Sequence, residues 1–210
     1  MQKGKLPPGL KELMRGIVGS VRYGYQADAK DTDFFVLTSD TDFLINDFDN
    51  HADYFVHSVQ RIKEIWGHPL LLGNLTSNCT GDWRLVTFLE NHRHAITYAA
   101  PGKTVDFGLD YISVGERYKF DSPIKAGLRT AYILSHMAEE REDPFLLSDE
   151  EKVILIRART GDVPPEERAE IYRRTICPAN LDKLRRMPEN TRVRDELFTL
   201  LDEICKEETT

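Results

Sequence analysis

Residues 17–37 constrain this chain more than any other stretch. An apolar pair, Ile17-Val18, runs directly into Gly19-Ser20. A polar link with Arg22, Tyr23 and Gly24 follows, and then Asp31-Thr32-Asp33 opens a second apolar run, Phe34 to Leu37. Two short strands joined by a polar turn satisfy this pattern. In a strand, residues two apart share a face, so Asp31 and Asp33 project to one side. Two carboxylates held that close disfavour each other's ionisation. A divalent cation removes the conflict, and hard carboxylate oxygens suit Mg²⁺, which takes its remaining ligands from water and substrate phosphates. Gly19-Ser20 leaves the first strand with backbone N–H groups, a hydroxyl and no bulk, a place where a phosphate fits. The parts form a cradle for a metal-bound triphosphate.

The rest of the chain divides by pattern. A helix is expected over residues 8–15 and a first strand over 16–20. A second strand follows over 33–38, and then a loop over 39–50 with a brief strand at Phe43 to Ile45. Phe55, Val59, Ile62 and Trp66 recur at spacings of four, three and four, which predicts one helix over 51–66. Leu70-Leu71-Leu72 reads as a buried strand or a short helix. Residues 76–83 read as a loop, 85–90 as a helix and 95–99 as extended. Pro101-Gly102 reads as a turn that leads into Thr104-Val105-Asp106-Phe107. Beyond Ser122-Pro123 the pattern is helix after helix: 123–141, 149–160 behind a Ser148/Glu151 capping box, about 165–175, and 191–206. The expected fold is α+β: a small mixed-sheet core with flanking helices over 1–120, and a helical region over 121–210.

This arrangement resembles the signature of the DNA polymerase β-like nucleotidyltransferase superfamily. Gly19-Ser20-Val21-Arg22-Tyr23-Gly24 followed by Asp31-Thr32-Asp33-Phe34 is most similar to a bacterial and phage group of predicted nucleotidyltransferases, which reads Gly-Ser-Arg-x-Tyr-Gly and then Ser-Asp-x-Asp. The likeness extends to Lys125, at the start of a helix after the core, and to Arg159-Thr160-Gly161-Asp162, with Asp where that group has Glu. The resemblance implies transfer of a nucleoside monophosphate from an NTP to a hydroxyl, with Mg²⁺ or Mn²⁺ as cofactor. Asp31 and Asp33 would hold the metal. Gly19, Ser20, Arg22, Tyr23 and Lys125 would hold the nucleotide. The superfamily also carries a third carboxylate on a later strand. Where one is expected this chain reads Leu70-Leu71-Leu72-Gly73-Asn74-Leu75, and Asp106, in Val105-Asp106-Phe107, is the nearest substitute.

The acceptor is open among RNA, protein and a small molecule. One alternative is a degenerate member that binds nucleotide, RNA or a protein partner without transfer. Another is a toxin–antitoxin enzyme that modifies its partner protein. A net charge of −7 argues against a general nucleic-acid coat. The arginines and lysines of 168–194 are interspersed with acids; a solvated helical surface is their default reading, and a face for RNA or tRNA phosphates, with strongly salt-dependent binding, is the alternative. His92 and His94 lack a third ligand for a metal site. Cys79, Cys177 and Cys205 fit neither a zinc spacing nor a disulfide framework. No apolar run reaches the ~18 residues of a membrane span, and no signal-peptide pattern follows Met1. These features lead us to expect a cytoplasmic protein of a bacterium or an infected host cell, with no membrane partner.

Overall fold

The computed structural model describes residues 11–24, 32–47, 52–118 and 121–207. Its sheet is built from β1 (Glu12–Ile17), β2 (Thr32–Thr38), β3 (Phe43–Asp47), β4 (Ala52–Ser58) and β5 (Cys79–Gly81), with the one-turn helix α1 (Gly19–Arg22) after β1. The strand order is β3-β4-β2-β1-β5. β1 runs antiparallel to β2 and to β5, and β3 runs antiparallel to β4. β4 returns between β3 and β2 and lies parallel to β2, in a register that sets Asp33 against Asp53, Phe35 against Phe55 and Leu37 against His57. The fold is therefore α+β with a mixed sheet.

Alternation gives each face of the sheet its own core. Phe35 and Leu37 join a large cluster with the helices, whereas Val36, Ala52, Tyr54 and Val56 form a second cluster on the opposite face. There the rings of Phe34 and Tyr54 stack with centroids 5.0 Å apart. The helices are α2 (Val59–Glu64), α3 (Pro69–Leu75), α4 (Trp83–Asn91), α5 (Arg93–Thr97), α6 (Pro101–Tyr118), α7 (Asp121–Ala138), α8 (Asp149–Arg159), α9 (Pro165–Thr175), α10 (Pro178–Arg186) and α11 (Thr191–Glu207). The large cluster runs from Leu13 and Met14 to Leu197, Leu201 and Ile204, and crosses residue 120 without a break. α6 and α7 meet there closely enough that a β-carbon on Gly108 would stand 2.9 Å from Leu134 Cδ1, tighter than packed side chains accept. Among the described residues no helix is long and apolar enough to cross a membrane.

Several elements differ from the sequence expectation, each for a physical reason. Residues 12–15 are strand, not helix, because β1 is hydrogen-bonded on both sides; residues 8–10 lie outside the described part. The predicted helix 51–66 is a strand through Ser58 and a helix only from Val59. Ser58 divides them: its Oγ accepts from Arg61 N at 3.0 Å and donates to Asp42 Oδ2 at 3.1 Å. The three leucines lie in α3, which starts with Pro69 at its first turn and is capped by His68 Nδ1, an acceptor for Leu70 N at 3.2 Å. Most of segment 95–99, expected to be extended, belongs to α5, the expected turn at Pro101-Gly102 is the start of α6, and β5 occupies part of the expected loop 76–83. The capping box at Ser148 and Glu151 is present, with bonds of 2.7 and 3.3 Å.

Candidate active site

β1 ends where Val18 N donates to Asp33 O at 2.8 Å, which pins the exit of the first strand to the entrance of the second. The next residue, Gly19, has φ +64, and a β-carbon there would collide with Asp33 Oδ2. Glycine is thus required twice, for the left-handed backbone and for the carboxylate packed against it. Because β2 and β4 are parallel and in register at Asp33 and Asp53, these two side chains leave the sheet on the same face. Neighbouring strands lie ~4.8 Å apart, so the two acids are side by side.

Both carboxylates line a cavity of about 370 Å³. Val18, Gly19 and Tyr23 line it around α1, and Asp33, Asp53 and the exposed Phe55 line it from the strands. Leu70 and Asn74 of α3, Tyr111 of α6, and Lys125, Ala126 and Arg129 of α7 form its helix wall. The two walls carry opposite charge. Burial lowers the pKa of Lys125, the guanidiniums of Arg129 and Arg159 lower it further, and Asp33 acts in the opposite direction. Lys125 therefore lies in the electrostatic reach of all three groups, including the Arg159 of the Arg-Thr-Gly-Asp element. The Arg129 guanidinium lies over the ring of the buried Tyr23, 4.4 Å from its centroid, an arrangement that fixes both side chains. Beside Tyr111, His68 packs against that ring and against Phe107. Burial, with the Arg61 and His57 charges, takes the His68 pKa down to about 4.

The structure thus gathers Gly19, Tyr23, Asp33 and Lys125 of the sequence candidates. Ser20 lies in α1, and its side chain is outside the described residues, as is Asp31. Arg22 is not at this cavity: both its terminal nitrogens donate to Asp143, at 3.2 and 3.1 Å, and its guanidinium lies over Phe145. Asp106 is not on a strand. It lies on α6, where Arg185 Nη2 donates to it at 3.1 Å, and it does not line the cavity. Asp53, Arg129 and Tyr111 were missed. For Asp53 a signal existed: Tyr54-Phe55-Val56 is strongly strand-forming, and an acid before such a run has the same form as Asp33 before Phe34-Phe35-Val36.

Among the described residues no group of three or more His, Cys, Asp and Glu side chains is arranged to hold a metal ion. Asp33 and Asp53 supply two carboxylates, and the Gly19 backbone packs against one of them, which fits a hard divalent cation that takes its other ligands from water and phosphate. His92 Nδ1 is 2.9 Å from Phe88 O and the His94 ring packs on Tyr98, so neither faces a shared metal position. Most cations of the 168–194 region are spent on carboxylates: Arg168 on Glu116, Arg173 on Glu170, Lys183 on Glu140, Arg192 on Glu196 and Arg194 on Glu189. Comparison with protein-family models, curated proteins and solved structures found no match.

Proposed function

We propose that this protein is a nucleotidyltransferase of the polymerase β-like type, which moves a nucleoside monophosphate from an NTP to a hydroxyl acceptor and releases pyrophosphate. The observation that carries this reading is the pairing of Asp33 with Asp53 across parallel strands, beside Gly19 and opposite Lys125 in one cavity. Asp53, not Asp106, takes the part of the third carboxylate. Asp33 and Asp53, with Asp31, would hold Mg²⁺, which when bound supplies charge neutralisation to the attacking and leaving oxygens.

The chain's own groups then have separate roles. The Gly19 turn presents backbone to the β- and γ-phosphates without a side chain in the way. Lys125, across the cavity, balances triphosphate charge as a point charge. Arg129, braced on Tyr23, adds a second cation to the same wall. The Asp53 carboxylate accepts the hydrogen bond of the acceptor hydroxyl and takes its proton as that oxygen bonds to the α-phosphorus and the bond to pyrophosphate breaks. Positioning and electrostatics account for most of such a reaction.

The test is pyrophosphate release from each of the four NTPs with Mg²⁺ or Mn²⁺, with cellular RNA and protein extract as acceptors. Wild type is run beside Asp33→Asn and Asp53→Asn. Release that requires both aspartates supports the proposal. Metal-dependent NTP binding without release moves the protein to a nucleotide-binding role on the same cavity. Release that survives both substitutions overturns the assignment.

A further inference from the structure

A second cavity, of about 360 Å³, takes different residues from the same β1–α1 stretch. Val18, Gly19 and Tyr23 belong to the Asp33 cavity, whereas Ile17 and Arg22 face this one. Its remaining walls are Thr76, Ser77 and Asn78, between α3 and β5, with Arg93 of α5 and Asp143. Two guanidiniums and one carboxylate leave it net positive in a protein whose net charge is −7.

Thr76 and Ser77 donate their hydroxyl protons to Leu72 O and Asn74 O, at 2.8 and 2.7 Å, so they bring no free donor. The donors are Arg93, Arg22 and Asn78. Among the described residues Arg93 has no carboxylate partner, and its side chain makes one hydrogen bond, a long one from Nη2 to Asn78 Oδ1 at 3.5 Å. That bond occupies the oxygen of Asn78 and leaves its amide N–H groups to donate elsewhere. Arg22 is half-satisfied: Asp143 takes both Nη atoms, while the buried Nε has no acceptor among the described residues. The Cys79 thiol, next to Asn78 in the chain, lies within the electrostatic reach of both guanidiniums. Burial raises its pKa, the Ser77 hydrogen bond and the charges of Arg93 and Arg22 oppose that rise, and Glu90 adds to it.

We propose that this cavity is a phosphate-binding site, separate from the Asp33–Asp53 cavity. Two forks and an amide approach it from α1, α5 and the α3–β5 turn. Donors in several directions suit the tetrahedral oxygens of a phosphate, whereas a carboxylate offers its oxygens in one plane. The phosphate can be a free monoester or a diester of a single-stranded RNA.

The experiment measures binding of inorganic phosphate, of AMP and of a short single-stranded RNA with hydroxyl ends to the full chain, by titration calorimetry without divalent metal. Arg93→Ala is expected to weaken binding about tenfold or more, the scale of one charge-assisted hydrogen bond. Arg93→Lys, which keeps the charge and loses the fork, falls between. Asp143→Asn is expected to tighten binding, because it releases the Arg22 fork; a merely structural role for Asp143 would not give that sign. The Arg93-dependent part of inorganic-phosphate binding should persist in Lys125→Ala, which separates this site from the proposed nucleotide cavity. Dependence on Arg93 for phosphate and AMP alone assigns the site to monoesters, and dependence for the RNA assigns it to diesters. Binding of none of the three probes, or binding lost in Lys125→Ala and kept in Arg93→Ala, overturns the proposal.

Discussion

Ala52-Asp53-Tyr54 and Val105-Asp106-Phe107 put the same kind of triplet, apolar residue, aspartate, aromatic residue, in two regions of the molecule. In β4 the alternation of a strand buries Ala52 and Tyr54 on one face and sends Asp53 to the other, where the register of β2 has already placed Asp33. In α6 the helix turns Val105 into the core and Asp106 to the surface, where Arg185 meets it. Local composition does not separate the two. What separates them is a pairing partner: Asp53 has a parallel neighbour strand carrying another acid, and Asp106 has a solvated helix face.

The largest expected effect tests that difference directly. Asp33→Asn and Asp53→Asn should each reduce pyrophosphate release by about a thousandfold, ~4 kcal/mol of transition-state stabilisation. Tm should stay within a few degrees of wild type, because each substitution removes one of two mutually repelling charges. A loss of release accompanied by a large loss of Tm would mean that the pair supports the fold instead of the chemistry.

The turn that faces the pair comes next. Gly19→Ala forces a β-carbon into the Asp33 carboxylate at φ +64. The left-handed backbone alone costs about 1–2 kcal/mol, and with the collision Tm should fall by about 5–10 °C. Gly102→Ala is the control, since a β-carbon there meets nothing within 4 Å at the start of α6. It should raise stability by about 0.5–1 kcal/mol. Equal behaviour of the two variants in thermal denaturation would remove the special status of Gly19.

The same contrast explains how far the sequence could be read. Gly19 and Asp33 were legible because the turn and the strand entrance are local in the chain. So were α7, α8, α9 and α11, whose apolar stripes and capping box are short-range signals. Only the end of β1, residues 16–17, reads as strand in the sequence; residues 12–15 read as helix because the second pairing partner, β5, comes more than sixty residues later. β4 was misread because Phe55 happens to continue the helical spacing of Val59, Ile62 and Trp66, although Phe55 is exposed on the strand and the other three are buried. The ion pair that removes Arg22 from the nucleotide cavity spans 121 residues, and no local pattern foretells it.

A buried polar pair outside both cavities supplies the pH dependence. His136 is 1% exposed, with Nδ1 2.9 Å from Pro144 O and Nε2 2.9 Å from Glu151 Oε1. Burial pushes the Glu151 carboxyl up, but the hydrogen bonds from His136 and from the Ser148 backbone outweigh it, and the net shift is downward. A lowered folded-state pKa means that the stabilisation is in place above the ordinary glutamate value, about 4.3, and is lost as pH falls through the depressed one. Glu151→Gln should cost about 1.5–3 kcal/mol at neutral pH. It should also lose less Tm than wild type between about pH 5 and pH 3. Parallel Tm–pH curves for the two proteins would contradict this.

The smallest effect is expected at Asp106, the helical counterpart of Asp53. Its side chain is 71% exposed and its partner Arg185 is also exposed. A surface ion pair of this kind contributes about 0–1 kcal/mol, and salt screens it. Asp106→Asn should therefore shift Tm by no more than about 2 °C, less in high salt, and leave pyrophosphate release within about twofold of wild type. The two aspartates share a sequence pattern, so side-by-side rates for Asp53→Asn and Asp106→Asn measure what register alone adds. If Asp106→Asn abolished release and Asp53→Asn did not, the acidic role would belong to α6, and the parallel pairing of β2 with β4 would be architecture without chemistry.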